Sequence, residues 1–215
     1  MTLPDKYATI YLPVRSFLAS SRAFSDGQRA VALLSRELNS DRLVLSDWKI
    51  HWVAACALLR ASIELFKLDK KLCFPALASG VKQEWEVIDK DRADHAIYWG
   101  FLRDERNNIL HEYKWSAYVQ YLDRESKATQ PRPGLLSLLP DQYETDLVIR
   151  DGPYKGSKAI DIIIKSPEWV EARILSAIKR ADLDPVEERN AVTFEKRPPS
   201  PPSSLGSLYR QSETE

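Results

Sequence analysis

The chain has 215 residues, of which 44% are hydrophobic, so it is long enough for one domain with a buried core. Its 31 basic residues balance its 31 acidic residues, which excludes attraction to nucleic acid or to a membrane by overall charge, and an RNA-binding surface would have to be a local patch. Residues 1–6 lack a signal segment and no run approaches the roughly 18 apolar residues of a membrane span, so we expect a cytoplasmic protein with no membrane partner.

Two predicted helices open the chain. Pro13 suits the first turn of a helix over residues 13–24, and Ser25 followed by Gln28 is typical of a capping box that begins a second helix. Apolar residues at spacings of three and four give the second helix an apolar face, and polar residues end it near Asn39. The sequence therefore predicts two short helices in this region.

The two longest predicted helices follow. Residues 48–68 carry an apolar stripe at spacings of three and four, with Glu64 at its edge, where a carboxylate needs a partner or water. A helix over residues 79–113 carries a second stripe, which Arg92 and Arg106 interrupt. Glu64 is therefore a candidate ion-pair partner of Arg106, with Arg92 as the competing partner.

The pattern changes in the second half of the chain. A further helical stretch over residues 116–124 leads to a loop at residues 130–134, as its composition indicates. Residues 145–150 and 159–165 are then rich in branched side chains, and residues 151–156 between them have the composition of a turn. This combination predicts a β-hairpin.

A last helix and a tail complete the predicted organisation. Ser166 is a typical helix cap, and Pro167 suits the first position of the helix that follows. The end of the chain is charged and then rich in proline and serine, which is typical of disorder. We therefore expect a mainly α fold with an antiparallel helical bundle over residues 1–128, a hairpin and helix packed on it over 129–184, and a disordered tail over 185–215.

The only two cysteines, Cys56 and Cys73, lie within or just after predicted helices. Neither has a CxxC partner or a histidine at the spacing of a zinc site. We expect both to be reduced residues of the packed interior, so the sequence predicts neither a disulfide nor a metal site.

Hydrogen-bonding and aromatic side chains are concentrated in residues 101–113, late in the second long helix. At about 100° per residue, Arg106 lies beside apolar neighbours, whereas His111 lies about 140° round the helix and shares a face with Asn107. Arg106 is therefore expected to reach over the rim of its own bundle while His111 points outward. These directions converge only at an edge, where a second copy of the chain can close the site.

The chain contains Arg106, then polar Asn107, and then His111, with four residues between Arg106 and His111. This pattern resembles the motif of the HEPN superfamily of small helical bundles. The resemblance covers roughly residues 25–120, and the predicted helix over 48–68 looks like the helix that usually precedes the motif helix. It implies a HEPN-like bundle with the activity of a metal-independent endoribonuclease of toxin or phage-defence type. It also implies a homodimer with a shared groove. RNA and a protein regulator or antitoxin are the further partners that it implies, and it implies no cofactor.

The residue types suit RNA cleavage by the ribose 2′-hydroxyl. Histidine is the side chain that titrates near neutrality, so His111 can exchange a proton at working pH. Arg106 offers a permanently charged planar fork to the phosphate oxygens, and Asn107 can orient that arginine or contact the phosphate or ribose. Arg103 and Lys114 are candidate RNA-binding cations, although such residues near a helix end are also typical of solvated charge.

Three hypotheses remain open at the level of sequence. The first is the ribonuclease, and the second is a catalytically silent HEPN-like module that binds RNA, nucleotide or a protein partner through the same groove. The third is a structural dimerisation protein in which Arg106 and Glu64 form a buried ion pair. The joint occurrence of Arg106, Asn107 and His111 favours the first, whereas the neutral net charge favours the other two.

Overall fold

The computed structural model describes residues 10–39, 47–122, 128–129 and 144–199. The predicted mainly α fold class is confirmed. The helices are a 3₁₀-helix Val14–Phe17, α1 Ala19–Leu38, α2 Asp47–Leu72, α3 Pro75–Lys90, a π-helix Tyr98–Leu102, α4 Arg103–Glu112 and α5 Ala159–Arg180. The strands are β1 Tyr11–Pro13, β2 Ala117–Leu122, β3 Ala128–Thr129, β4 Glu144–Ile149 and β5 Glu188–Asn190. None of the described helices is long and apolar enough to cross a membrane.

The central helix of the bundle is α2, which packs against α1, α3, α4 and α5. Its buried face includes Trp52, Leu59, Ile63 and Phe66, which recur at helical spacing. Burial of each such side chain stabilises the fold by roughly 1.5–3 kcal/mol. The helix predicted over residues 48–68 is therefore confirmed, and it is slightly longer than predicted at both ends.

The two helices predicted at the start of the chain form differently. The first is only a 3₁₀-helix, Val14–Phe17, and α1 then runs without a break from Ala19 to Leu38. Ser25 does not cap a helix, because it lies inside α1 and its hydroxyl donates to the carbonyl oxygen of Ser21. The capping-box prediction at Ser25 was therefore wrong.

The N-terminus of α1 is capped by a side chain from another helix. The carboxylate of Asp69 in α2 accepts hydrogen bonds from the backbone N–H groups of Ala19 at 2.7 Å and Ser20 at 3.0 Å. These bonds satisfy two N–H groups that a helix start leaves without partners, and the negative charge suits the positive end of the helix dipole. A local capping residue is therefore unnecessary, which explains why the sequence near Ala19 shows none.

The long helix predicted over residues 79–113 is interrupted. Helix α3 ends before Asp91, whose carboxylate accepts the backbone N–H of Asp94 at 3.1 Å and forms a turn. The indole N–H of Trp99 donates to the carbonyl oxygen of Ile88 at 2.9 Å and satisfies a group at the end of α3. The single-helix prediction was wrong because these two contacts stabilise a corner.

The second half of the chain contains the predicted β4 but not the predicted hairpin. Residues 116–124 were predicted as helix, whereas β2 pairs antiparallel with β4 from Ala117↔Ile149 to Leu122↔Glu144. The turn predicted at residues 151–156 is present, with positive φ angles of 79° at Gly152 and 81° at Gly156. Residues 159–165 do not form the second hairpin strand, because α5 begins at Ala159.

Helix α5 is a helix from its first turn because its buried residues follow helical spacing. Ala159, Ile162, Ile163 and Ser166 are buried, whereas Ile164 is 44% exposed. Adjacent burial of Ile162 and Ile163 does not fit the alternation of a half-buried strand. Ser166 and Pro167 therefore lie inside the helix, and the prediction that Ser166 caps it was wrong.

An ion-pair cluster joins α5 to α3. The fully buried carboxylate of Glu84 accepts hydrogen bonds from Arg173 Nη1 at 2.9 Å, Arg180 Nε at 2.7 Å and the Ser176 hydroxyl at 2.7 Å. A buried carboxylate needs such partners, and here they satisfy it across two helices. Helix α5 thus packs in the bundle, while the division of the chain at residues 128 and 184 stays a prediction.

Part of the predicted tail is ordered. Strand β5, Glu188–Asn190, pairs antiparallel with β1, Tyr11–Pro13, and brings the two ends of the described chain together. The prediction of disorder from residue 185 was therefore wrong for this stretch. Residues 200–215 and the loop predicted at residues 130–134 lie outside the described residues.

Both cysteines are free, and Cys73 gives the fold a measurable dependence on pH. Burial, together with the nearby carboxylate of Asp69, raises the pKa of the Cys73 thiol from its ordinary value of 9.0 to about 12. Because the unfolded chain loses this proton first, the resulting stabilisation is complete below pH 9 and is lost as the pH rises towards 12.

We expect Cys73→Ala to flatten this alkaline loss. Urea unfolding of wild type and variant at about pH 8 and about pH 11 gives the free energy of unfolding at each pH. The difference between the two pH values should be smaller in the variant. An equal loss in both proteins would show that Cys73 titrates normally in the folded state.

Candidate functional site

The π-helix Tyr98–Leu102 stands directly before α4 and packs against the turn at residues 151–156. A Cβ atom added at Gly100 would lie 2.7 Å from the Cγ atom of Pro153, so only glycine allows this close approach. Gly152, with its positive φ, brings the turn within reach of the carbonyl oxygen of Gly100. Single π-helical turns occur frequently at functional sites.

A cavity of about 350 Å³ lies between α4 and this turn, and we call it the α4 cavity. Helix α4 contributes Asp104, Glu105, Asn107 and Asn108 to its lining. The remaining wall includes two aromatic rings, one branched side chain and a carboxylate, namely Phe101, Tyr154, Ile149 and Asp151. One wall is thus rich in carboxylate and amide groups, and the other is largely apolar.

Glu105 is the buried carboxylate of this site. It is 2% exposed, accepts the indole N–H of Trp52 at 2.6 Å, and accepts the backbone N–H of Ser116 at 3.0 Å on both oxygens. Two neutral donors therefore hold it, and together with burial its charge raises the pKa of the Cys56 thiol in α2. Glu105, in the first turn of α4, therefore connects this helix to α2 and to the residue before β2.

The end of α4 is shaped by Tyr113. This residue adopts the left-handed conformation with φ 52°, and its N–H donates to the Ile109 carbonyl while the N–H of Lys114 donates to that of Asn108. Such a left-handed residue ends a helix and turns the chain sharply. The turn brings the N–H of Ser116 back onto Glu105.

The structure brings two of the predicted catalytic residues together and leaves the third apart. Arg106 is half-buried, and its Nη1 donates to the Oδ1 atom of Asn107 at 3.2 Å. Asn107 lines the α4 cavity, whereas the described residues that line it do not include Arg106 or His111. His111 is exposed near the end of α4. Their catalytic roles stay predictions.

The ion pair that the third hypothesis requires is not formed. Glu64 pairs with Lys67 at 2.9 Å and with Arg60 at 3.5 Å, and it accepts a short hydrogen bond from the Tyr98 hydroxyl. Burial acts to raise the pKa of Glu64, but the bonds from Tyr98 and Lys67 hold it below its ordinary value. Glu64 therefore does not supply the Arg106 ion pair that the third hypothesis requires.

The competing partner, Arg92, pairs instead with Asp89 at 3.3 Å. Its guanidinium lies 4.3 Å from the ring centre of Trp99. The guanidinium of Arg103, a predicted RNA-binding cation, lies 5.1 Å from the centre of the same ring. Arg103 is thus placed beside Trp99, and it does not belong to the described lining of the α4 cavity.

A second cavity of about 320 Å³ adjoins the first, and we call it the Lys114 cavity. The two cavities share Asn108, Ser116 and Asp151, and Lys114 and Arg150 line the second one. Lys114 pairs with the exposed carboxylate of Glu112 at 2.6 Å, and the hydrogen bond and positive charge of Lys114 hold the pKa of Glu112 below its ordinary value. Lys114 is therefore the predicted RNA-binding residue that lies in a cavity.

Sequence reasoning missed Glu105 and the residues of the turn. Glu105 and Arg106 stand four and three positions before Ile109, so helical spacing alone permits either to lie on the buried face. The composition of residues 151–156 correctly indicated a turn, but only the packing of that turn against Gly100 shows that Tyr154 and Asp151 line a cavity.

No group of three or more His, Cys, Asp or Glu residues that could hold a metal ion is found in the part of the chain that the structure describes. Comparisons of the chain with models of known protein families, with curated proteins and with solved structures find no match.

Proposed function

We propose that this protein is a metal-independent endoribonuclease of toxin or phage-defence type, with the site that its resemblance to the HEPN superfamily implies. One observation carries the proposal. The guanidinium of Arg106 is held by Asn107 and, within residues 10–39, 47–122, 128–129 and 144–199, is ion-paired to no carboxylate. His111 stands exposed on the same helix. An arginine without a carboxylate partner and an exposed histidine on the same helix suit phosphate chemistry better than they suit a structural role.

The proposed reaction uses the RNA as its own nucleophile. The ribose 2′-oxygen attacks the adjacent phosphorus and loses its proton, the bond from phosphorus to the 5′-oxygen breaks, and the 5′-oxygen takes up a proton. His111 transfers one of these protons, because histidine can both accept and donate near neutral pH. Arg106 stabilises the negative charge that builds up on the phosphate oxygens. The products are a 2′,3′-cyclic phosphate and a 5′-hydroxyl.

The proposed active form is a homodimer. Along a regular helix such as α4, Arg106 and His111 are separated by about 140°, so they do not face one phosphate within one copy of the chain. Pairing two α4 helices at an edge brings the arginine of one copy towards the histidine of the other. Exposed apolar side chains on and just after α4, Leu110 at 55% and Tyr113 at 79%, support such a contact.

A second candidate function is a catalytically silent module that binds RNA, nucleotide or a protein partner. The observation that favours it is the α4 cavity, which already lies within one copy of the chain and is lined by Asn107 rather than by Arg106 or His111. Binding there requires neither a dimer nor proton transfer. The two functions therefore differ in whether RNA is cut and in whether a dimer is needed.

Incubation of the full chain with a mixed pool of single-stranded RNA in EDTA tests the proposed activity. We expect fragments that end in 2′,3′-cyclic phosphate, identified by mass spectrometry of the ends. Light scattering at micromolar concentration should give the mass of a dimer. Intact RNA, 3′-hydroxyl ends or a strict monomer would each contradict the proposal, and intact RNA with salt-dependent RNA binding would favour the silent module.

A further inference from the structure

We propose that the α4 cavity binds a guanine base, and that the adjoining Lys114 cavity takes the phosphate of the same nucleotide. This inference rests on the proposed function for the place of the guanine in the substrate, because it names the base next to which RNA is cut. The binding itself does not require cleavage. The size of the α4 cavity, its lining residues and the adjoining Lys114 cavity each contribute to the choice of ligand.

The volume suits one small planar group. At about 350 Å³, the α4 cavity is at the lower end of the range for small-molecule sites, which is about 300–1,000 Å³. On its largely apolar wall, Phe101 and Tyr154 meet edge to face with ring centres 6.1 Å apart, and Ile149 lies beside them. Unpaired RNA bases are commonly bound against aromatic side chains of this kind.

The carboxylates of the lining select for hydrogen-bond donors. Asp104, Glu105 and Asp151 line the α4 cavity, and no lysine, arginine or histidine belongs to its described lining, so a phosphate is disfavoured there. The oxygens of Glu105 are already occupied by Trp52 and Ser116. The exposed carboxylates of Asp104 and Asp151 therefore remain open to a ligand, and Asp104 lies on α4 together with the two asparagines of the lining.

Guanine is the base whose edge matches one open carboxylate. Its N1–H and N2–H groups are two adjacent donors, which both oxygens of Asp104 can accept as a pair. Adenine presents an acceptor at N1, and uracil presents a single N–H between two carbonyl groups, so neither offers this pair of donors. The side chains of Asn107 and Asn108 can serve the remaining polar groups of the base.

An unpartnered atom lies at the junction of the two cavities. The Oγ atom of Ser116 is buried and has no hydrogen-bond partner among the residues that the structure describes, although Ser116 lines both cavities. A buried hydroxyl without a partner is unfavourable, because it has lost its hydrogen bonds to water and gained none in return. A nucleotide that spans the junction would offer Ser116 a polar group of the sugar.

The adjoining cavity contains the cations that the α4 cavity lacks. Lys114 and Arg150 line it beside the carboxylates of Glu112 and Asp151, and Lys114 pairs with Glu112 at 2.6 Å. A base site that rejects phosphate beside a site that carries two cations matches the two ends of a nucleotide. An arginine side chain from a protein partner would also offer paired N–H donors to Asp104, but it would bring no anion to the cations of the adjoining cavity.

Asn107 links the guanine site to the proposed chemistry. It lines the α4 cavity, and its Oδ1 atom accepts the hydrogen bond from Arg106. A base that contacts Asn107 therefore acts on the orientation of the arginine. Cleavage is expected next to guanine for this reason, and guanine would set the sequence preference of the enzyme.

Calorimetric titration of the full chain with guanosine 5′-monophosphate and with adenosine 5′-monophosphate tests the site. We expect the guanine nucleotide to bind at least about tenfold more tightly, and Asp104→Asn to weaken its binding roughly 10- to 100-fold. Asp161→Asn, an equal change of charge at an exposed position of α5, should leave the affinity unchanged. Circular dichroism checks that both variants are folded.

The direction of the effect separates base recognition from simple electrostatics. Removal of a negative charge near a nucleotide would by itself strengthen binding, whereas loss of the paired acceptor weakens it. Equal affinity for the two nucleotides, or tighter binding by Asp104→Asn, would overturn the inference. Displacement of the nucleotide by methylguanidinium as readily as by guanosine would instead assign the cavity to an arginine side chain and also overturn it.

The result of this titration is independent of the result of the cleavage experiment, because a nucleoside monophosphate has no phosphodiester bond for the enzyme to cut. A protein that cuts RNA but does not prefer the guanine nucleotide would lose the guanine site and keep the proposed activity. A protein that binds the guanine nucleotide but leaves RNA intact would keep the site and lose the ribonuclease.

Discussion

Replacement of His111 or Arg106 by alanine is expected to lower the rate of RNA cleavage by about 10²- to 10⁴-fold, because each change removes proton transfer or stabilisation of phosphate charge. The fold should be unaffected. His111 is exposed, and among the described residues the hydrogen bond of Arg106 goes to the next residue along the helix, so the free energy of unfolding should change by no more than about 0.5 kcal/mol. Single-turnover cleavage in EDTA measures the rates, and urea unfolding checks the stability.

The matched control for charge is Arg29→Ala, since Arg29 is an exposed arginine on α1. This variant should cut RNA at the wild-type rate. A cleavage rate that is the same in His111→Ala, Arg106→Ala and wild type would mean that the activity comes from elsewhere in the protein or from a contaminant, and the proposed assignment would be lost.

Mixing the two inactive variants tests whether the site is shared between copies. If Arg106 of one copy acts with His111 of the other, a heterodimer of Arg106→Ala and His111→Ala keeps one of two sites intact. Equimolar mixing after subunit exchange should then restore part of the wild-type rate. If both residues act within one copy, no mixture of the two variants recovers activity.

Gly80→Ala is expected to destabilise the protein by about 1–3 kcal/mol or more, because overpacking of a tight helix contact forces the backbone apart. An added Cβ atom would collide with the backbone carbonyl oxygen of Ala177 and lie 3.0 Å from the N atom of Ala181. Alanine favours a helix over glycine by only about 0.8–1 kcal/mol, so the collision should outweigh this gain. Separation of α3 from α5 would also stretch the bonds between Glu84 and its arginine partners.

Gly27→Ala provides the comparison within the same bundle. Its added Cβ atom would meet the Cδ2 atom of Leu59 at 2.9 Å, which is the far end of a flexible side chain, although the Leu59 backbone N is also near at 3.1 Å. Both substitutions gain the same helix propensity. The difference between the two variants in the free energy of unfolding therefore reports how rigid the group is that the new Cβ atom meets. Gly80→Ala should lose clearly more stability in urea. Equal losses would mean that α3 and α5 can move apart without cost.

The parts of the fold that were predicted correctly are those with one dominant local signal. The uninterrupted apolar stripe over residues 48–68 predicted α2, and the glycines of residues 151–156 predicted a turn. The start of α5 was assigned wrongly because Ile160, Ile162 and Ile164 fit a strand by alternation, while the decisive burial of Ile163 depends on the packing of the bundle.

The candidate site was predictable only in part, for the same reason. The neighbouring positions of Arg106 and Asn107 made their contact foreseeable, and His111 was expected on another face of the helix. Burial of Glu105 depends on the indole of Trp52, which comes from a different helix, and on the N–H of Ser116 beyond a left-handed residue. Periodicity within one segment carries no information about such partners.

The bond from Asp69 to the start of α1 also bears on the synthesis of the protein. The first turn of α1 is at Ala19, and its cap lies 50 residues further along the chain. While the ribosome is still adding α2, the N–H groups of Ala19 and Ser20 have only water to bond. The beginning of α1 therefore becomes stable late, once the segment around Asp69 has left the exit tunnel and docked, and a nascent chain cut short before that residue would keep a frayed first turn.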